Sequence, residues 1–508
     1  MITLWEKASA QNWLVFVLLV VMGCAAYANV LPGPFFFDDP AFIVYNIHVQ
    51  TFDLEKIYTS GATAGSGLWD NFYRPNAQII YAILAQIPGD ATWPFHAASI
   101  LLHTTNSFLI FILFILLGVK RVYALIGALL FLLHPIQTQA VSYISGLSEP
   151  LAAFTTLLSL VLFTQMLQAE KTKIWQFASI LGIATLGFFS KENSLMLSGF
   201  MGITLLYLYR QKKIRNLKAG LYTWYGILSL SFIFLLLRLT VFNFSPTDGF
   251  NIATISNAYT ESLLVRMITF VSILYQYVGM ILWPLGLHYE TPYIAYTSLI
   301  TWPGFFGIMV ILGGLYLVYK SLMDGSGVFF FSFLWFFIAI LPVSGIVATN
   351  AIFLEHWLYV PIIGIIFGIV YVLEKLGQNT NRKKMIFSVV CLLLIIYTGI
   401  VIDRNRDWAD PVKFFSNELK YTQKSARVYN NLAMEIAAAG DCSKAIPYYE
   451  KAIETDDRFP HTHNNLANCL VSLGRTTEAI LEYEKALHID PNFIYSVHKL
   501  KELEKKEE

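Results

Sequence analysis

Charge is scarce in this sequence, and so is cysteine. Only 14% of the 508 residues are Asp, Glu, Lys or Arg, against about 25% in an ordinary soluble domain, which excludes a wholly soluble chain. A formal net charge of +1 supplies no basic field for a polyanion and removes nucleic acid from the partners. Four cysteines (Cys24, Cys391, Cys442, Cys469) cannot make a disulfide framework, and no C-x-x-C spacing marks a metal site. The charge is also unevenly placed: of 35 Lys and Arg and 34 Asp and Glu, 28 fall in residues 411–508. The first 410 residues therefore read as a membrane unit and residues 411–508 as a small soluble one.

Apolar runs fill the front of the chain, at 11–31, 94–117, 122–134, 151–168, 174–190, 194–209, 222–242, 263–284, 303–320, 328–347, 356–374 and 385–403. The first ends in Ala26-Tyr27-Ala28, like a signal-peptidase site, but Glu6 and Lys7 cancel before it and the run is long enough to span, so a retained helix is expected. Lys120-Arg121, Lys171/Lys173, the Arg210–Lys218 group and Arg382-Lys383-Lys384 should lie in cytoplasmic loops. They do so together only if the N-terminus is cytoplasmic and 263–284 is re-entrant or lies along the interface. Arg266 and Trp283-Pro284 suit such a broken or interfacial helix. The expectation is an all-α polytopic bundle of about 11 spanning helices, with loops 32–93, 135–150, 243–302 and 348–355 and the C-terminal unit on the outer face.

In that C-terminal unit Asn431-Leu432-Ala433 recurs as Asn465-Leu466-Ala467, and Gly440, Ala445, Tyr449 and Ala452 recur 34 residues later. This is the period of a tetratricopeptide α-solenoid. At least two repeats are present, with 495–508 as a charged capping helix and 411–424 as a divergent helix before them. Such arrays hold a partner segment in their groove, although a spacer or dimerisation role is the alternative.

Candidate chemistry collects in the outer loops. Asp38-Asp39 follow the first apolar run, and two carboxylates at a membrane boundary need water, a cation or each other. Asp39-Pro40 is equally a helix cap with proline at the first helical position, so cap and catalyst both remain open. Arg74, in Tyr73-Arg74-Pro75, suits phosphate or a structural ion pair. His134, Glu149, Lys191-Glu192, Glu355-His356 and Arg404 fall at outer helix ends under the same topology.

Together these residues resemble one family. Phe37-Asp38-Asp39-Pro40-Ala41-Phe42-Ile43 with Asn46, Tyr73-Arg74-Pro75, Phe95-His96 with His103, His134-Pro135-Ile136-Gln137-Thr138-Gln139-Ala140-Val141, Lys191-Glu192, Leu358-Tyr359-Val360-Pro361, and Arg404, Asn405 and Trp408 are similar to the transmembrane and tetratricopeptide repeat-containing proteins and their bacterial relatives. Those are similar to the GT-C superfamily of membrane glycosyltransferases. The resemblance implies a sugar, typically mannose, carried on polyprenyl phosphate and transferred to a protein Ser or Thr hydroxyl. It implies that the acidic pair supplies the catalytic Asp38 or Asp39, with a divalent metal (Mg or Mn) there in some members. It also implies that Arg74, His134, Glu149, Lys191, Glu192, His356, Tyr359 and Arg404 serve the donor, and that a bacterial inner membrane holds the chain. Gln139 stands where relatives often carry Glu, Gly146-Leu147-Ser148-Glu149 where they carry Gly-Arg-Ala-Glu, and His356 where arginine is common. The competing readings are a non-catalytic membrane scaffold that displays the repeats and, less in keeping with charges gathered on one face, a transporter.

Overall fold

A computed structural model describes residues 2–67, 71–87, 89, 91–244, 257–289, 294–349 and 351–507. Helices make up its regular structure, with no strand among the described residues. This is what long apolar runs require, because a helix closes its backbone hydrogen bonds within its own segment when no water can. Local chemistry sets the boundaries. Trp93–Leu117 opens with Pro94 at its first turn and closes on Gly118 at φ 108°. Trp302–Met323 starts where the Thr301 hydroxyl accepts the Gly304 N–H.

The helices run between two ends. At one end Asn405 donates to the Ala26 carbonyl (2.9 Å) and Asn29 to the Ile402 carbonyl (2.8 Å), so the first helix, Ile2–Tyr27, and Thr380–Trp408 lie parallel. At the other end Arg121 donates to Asn12 (2.7 Å), the Lys120 N–H to Glu374 (3.1 Å) and Gln211 to the Ser326 carbonyl (2.6 Å). The basic clusters at 120–121 and 210–215 therefore lie at the end opposite the outer-loop residues, which meet at the first end, the site face.

Seven helices among the described residues are long and apolar enough to cross a bilayer, or eight if Arg121–Leu133 and Pro135–Ser142, bent by 50°, count as one span. This lowers the expected eleven, and the reason is length. Ile174–Phe188, Leu197–Arg210, Val328–Ile340 and Pro361–Leu376 have 15, 14, 13 and 16 residues, about 20–24 Å of helix against about 30 Å of hydrocarbon. They still join the same two ends. Pro361–Leu376, for example, starts beside Glu355 on the site face and ends at Glu374 against Lys120.

Leu263–Leu282 is among the seven by length and composition, and it is unbroken, so a break inside it is not found. Both of its ends nevertheless lie toward the site face. Arg266 donates to the Gly345 carbonyl (2.6 Å), while the Ile281 carbonyl bonds His134 Nε2 (2.9 Å) and His288, just beyond, stacks on Tyr421.

Residues 424–507 form antiparallel helix pairs. Ala426–Ala438 and Pro460–Ser472 are each followed by a glycine, Gly440 (φ 90°) and Gly474 (φ 75°), that turns the chain into Cys442–Thr455 and Thr476–Ile489. A side chain is strained at such φ, which explains glycine at this place in both repeats. Ala433, Ala467, Tyr449 and Tyr483 are buried between the helices. Pro411–Glu418 docks on the membrane unit, with Phe414 and Phe415 buried against Phe36 and Trp408.

The four cysteines make no framework, but one bridge forms: Cys442 and Cys469 are disulfide-bonded across neighbouring repeat helices, while Cys24 and Cys391 are free. Their separation of 27 residues corresponds to about 3–4 kcal/mol in the chain-entropy account. Alkylation of the denatured chain should add two adducts without reductant and four with it, counted by mass. Four without reductant would exclude the bond.

Candidate functional site

The site is built on a broken helix. Arg121–Leu133 stops at Pro135, and from His134 to Pro150 every residue but Gly146 is buried. Two short helical turns, Thr138–Ser142 and Ile144–Leu147, carry the chain into Ser148–Gln168. Buried backbone that leaves a helix needs other partners, and the first outer loop supplies one. Asp39 Oδ1 accepts from the Ser145 N–H (2.9 Å) and hydroxyl (2.5 Å), and Oδ2 accepts from the Phe36 N–H (3.2 Å). Asp39 occupies the position before Pro40 but makes no side-chain cap, so its carboxylate ties two loops together instead. Burial pushes its pKa up to about 7, against the lowering effect of these bonds. Asp38, by contrast, is exposed. Its N–H donates to the Tyr143 hydroxyl (3.2 Å), and Tyr143 stacks on Trp408 (5.4 Å).

The same turn holds the cations. Arg74 Nη1 donates to the Ser148 hydroxyl (3.3 Å), three residues from Ser145. In a 3₁₀ turn three residues advance about 6 Å, so the aspartate anchor and the arginine anchor are close neighbours. Arg74 also lies over the Phe72 ring (4.5 Å) and 3.9 Å from Glu192, which faces Arg238 at 3.5 Å. Lys191 pairs with Glu149, both buried, and His356 Nε2 is 3.9 Å from the same Glu149 oxygen. Burial lowers the Lys191 pKa despite Glu149, and burial with Lys191 and Arg74 nearby holds His356 well below its usual value, hence neutral. Burial raises Glu192, but Arg74 and Arg238 more than offset it, so it stays ionised.

Three expected donor residues stand apart from this cluster. His134 spends both ring nitrogens on backbone, donating from Nε2 to the Ile281 carbonyl and accepting the Ile136 N–H at Nδ1 (3.3 Å). Tyr359 closes an internal network with His103 (2.8 Å) and Asn106 (3.1 Å). Arg404 faces Glu355 (3.3 Å) and, across the boundary into 411–508, Glu418 (4.0 Å); both carboxylates are buried and the arginine is largely so. These contacts are structural, and Arg404 keeps only its Nε without a hydrogen-bond partner among the described residues.

The acidic pair does not fit a protein-held divalent metal. Asp39 has committed its oxygens to Ser145 and Phe36, and no group of three His, Cys, Asp or Glu side chains suited to a metal occurs among the described residues. Residues missed in the sequence are Ser145, Ser148, Tyr143, Arg238 and Glu418. Only Ser148 had a signal, standing inside Gly146-Leu147-Ser148-Glu149.

The Lys191–Glu149 pair is testable by thermal unfolding. Lys191→Met leaves a buried carboxylate uncompensated and should cost about 3–5 kcal/mol. Adding Glu149→Gln to it should recover most of that loss, and equal melting of the single and double variants would contradict the pairing.

Comparison with known proteins adds two findings. The tetratricopeptide repeat family matches residues 424–491. The chain is 24% identical to protein O-mannosyl-transferase F38B6.6 of Caenorhabditis elegans over 89% of its own length, 25% to TMTC4 of Homo sapiens over 85%, and 23% to TMTC3 of Mus musculus over 89%. These matches cover 64%, 65% and 52% of the respective relatives, so the chain spans less than two thirds of their length. It is thus similar, through its membrane helices and its repeats alike, to the TMTC-type protein O-mannosyl-transferases, the resemblance its motifs carry.

Proposed function

We propose that this chain is a membrane glycosyltransferase that moves mannose or another hexose from a polyprenyl-phosphate carrier to a protein Ser or Thr hydroxyl. The observation that carries this reading is the shared turn, in which Asp39 holds Ser145 and Arg74 holds Ser148. It puts a carboxylate pair and a phosphate-matching cation side by side on one face. The names of the similar proteins support the reaction class and the protein acceptor.

In this reading Asp38 is the base: its carboxylate is exposed and bonds at its edge to the Tyr143 hydroxyl, whereas Asp39 is buried with both oxygens engaged. The acceptor O–H bond breaks and its proton passes to the Asp38 carboxylate. The freed electron pair bonds the anomeric carbon, and the bond from that carbon to the phosphate oxygen breaks. The departing electron pair leaves on polyprenyl phosphate, whose charge Arg74 meets. Residues 1–410 are the catalytic unit, and 411–508 the repeat unit that engages the acceptor protein.

The site face is assigned to the non-cytoplasmic side, the periplasmic side in a bacterial inner membrane, with the N-terminus cytoplasmic. Two observations support this orientation. The basic clusters lie at the opposite end, and a disulfide in the repeat unit suits an oxidising compartment.

Asp38→Asn should lower transfer about 10²–10⁴-fold with normal yield of folded protein, read as hexose on acceptor protein by mass spectrometry. Near-normal turnover of that variant, purified intact in lipid, would leave the scaffold reading in place. A reporter fused after Glu508 that works only in the cytoplasm should be silent; activity would overturn the orientation.

A further inference from the structure

Arg238 is the cation that no motif indicated. It ends Leu217–Leu239, its Nη groups donate to both carbonyl oxygens of Asn71 and to the Phe242 carbonyl (2.6 Å), and its Nε turns to Glu192 at 3.5 Å. Arg74 approaches the other oxygen of the same carboxylate with its own Nε, at 3.9 Å. Both Nε atoms are buried and have no hydrogen-bond partner among the described residues. The Nη partners are all neutral, so one carboxylate answers two guanidinium groups. The neighbouring Lys191–Glu149 pair cancels and His356 is neutral, leaving one positive charge in excess among the described residues of this cluster. Buried guanidinium N–H groups without partners are costly. Glu192, the most exposed of the three side chains at 28% against 16% and 13%, stands at the open side.

We propose that Arg74 and Arg238 together hold the phosphate of a polyprenyl phosphate, and that Glu192 competes for the same N–H groups so that the product is released. This rests on the transferase reading. A phosphate presents more acceptor oxygens than a carboxylate and takes paired guanidinium groups well. The donor is a phosphodiester with one negative charge, whereas the product is a monoester that carries close to two. Two bare arginines would favour the product and stall turnover. A fixed carboxylate between them repels the dianion about twice as strongly as the monoanion, and so narrows that preference.

Binding isotherms on the full chain in lipid test this, with a short-chain polyprenyl monophosphate and inorganic phosphate as separate probes. Arg238→Gln should weaken polyprenyl phosphate binding about tenfold, with Arg238→Lys losing less. Glu192→Gln should tighten it several-fold, and in the transfer assay should lower kcat and deepen product inhibition without raising the donor KM. Unchanged binding in both Arg74→Gln and Arg238→Gln, or no tightening in Glu192→Gln, overturns the proposal. Inorganic phosphate binding as tightly as the lipid would assign the site to free phosphate and overturn the donor role. The two readings fail separately. Normal turnover of Asp38→Asn removes the transferase but not the anion site, and an indifferent binding series removes this site while leaving the transferase.

Discussion

Everything on the site face depends on one interruption: the helix that begins at Arg121 breaks at Pro135 and does not resume until Ser148, while the chain stays buried. Backbone at that depth cannot turn to water, so each freed group must be met by protein. The Ser145 N–H finds Asp39, the Ile136 N–H finds the ring of His134, and the Gln139 side chain accepts the His356 N–H at 2.9 Å. The first and last of these bonds reach other parts of the chain, so the break gathers the first outer loop and the 355–358 turn around a single segment. Polar groups collect here because the fold leaves them no other partners.

The electrostatics follow from that gathering. Glu149 lies one residue past Ser148 and is buried, which is tolerable only with a partner, and Lys191 supplies it from the next hairpin. On the proposed reading, Arg74 and Arg238 then meet the phosphate while the exposed Asp38 takes the proton, the two charges that proton removal and departure of a phosphate require.

Much of this was legible in the sequence, and what was not has a physical cause. The repeat could be read because a solenoid reuses the same contacts at a fixed interval, so Gly440 and Gly474 stand 34 residues apart for one conformational reason. Asp38-Asp39 and Lys191-Glu192 stood out because charge is rare in apolar surroundings. The span count failed because apolar length is ambiguous: four helices of 13–16 residues sit inside apolar stretches that read as longer. Arg238 stands in no motif, and only the packing of its helix beside residues 71–76 brings it to Glu192. Cys442 and Cys469 pair across a helix hairpin, which spacing alone does not reveal. Arg404 was read as a free cation, since its partner Glu418 lies across the boundary assigned at residue 411.

That boundary marks a change in composition more than a mechanical joint. Phe36 and Phe37, which lead into Asp38, pack against Phe414 and Phe415 from the first helix beyond it, and Tyr143 and Trp408 complete the aromatic wall. Arg404, held between Glu355 and Glu418, adds a buried ionic tie, and Lys413 reaches back to Asp407 at 3.0 Å. Aromatic packing at this density is rigid, so Pro411–Glu418 has a fixed position relative to the acidic pair. A tethered repeat array would raise the local concentration of a bound partner without orienting it, whereas an array whose first helix shares its packing with the Phe36–Asp39 loop fixes direction as well. On the proposed reading, the repeats would present an acceptor segment to Asp38 from one side, and the choice of acceptor would depend on this shared aromatic core as much as on the groove.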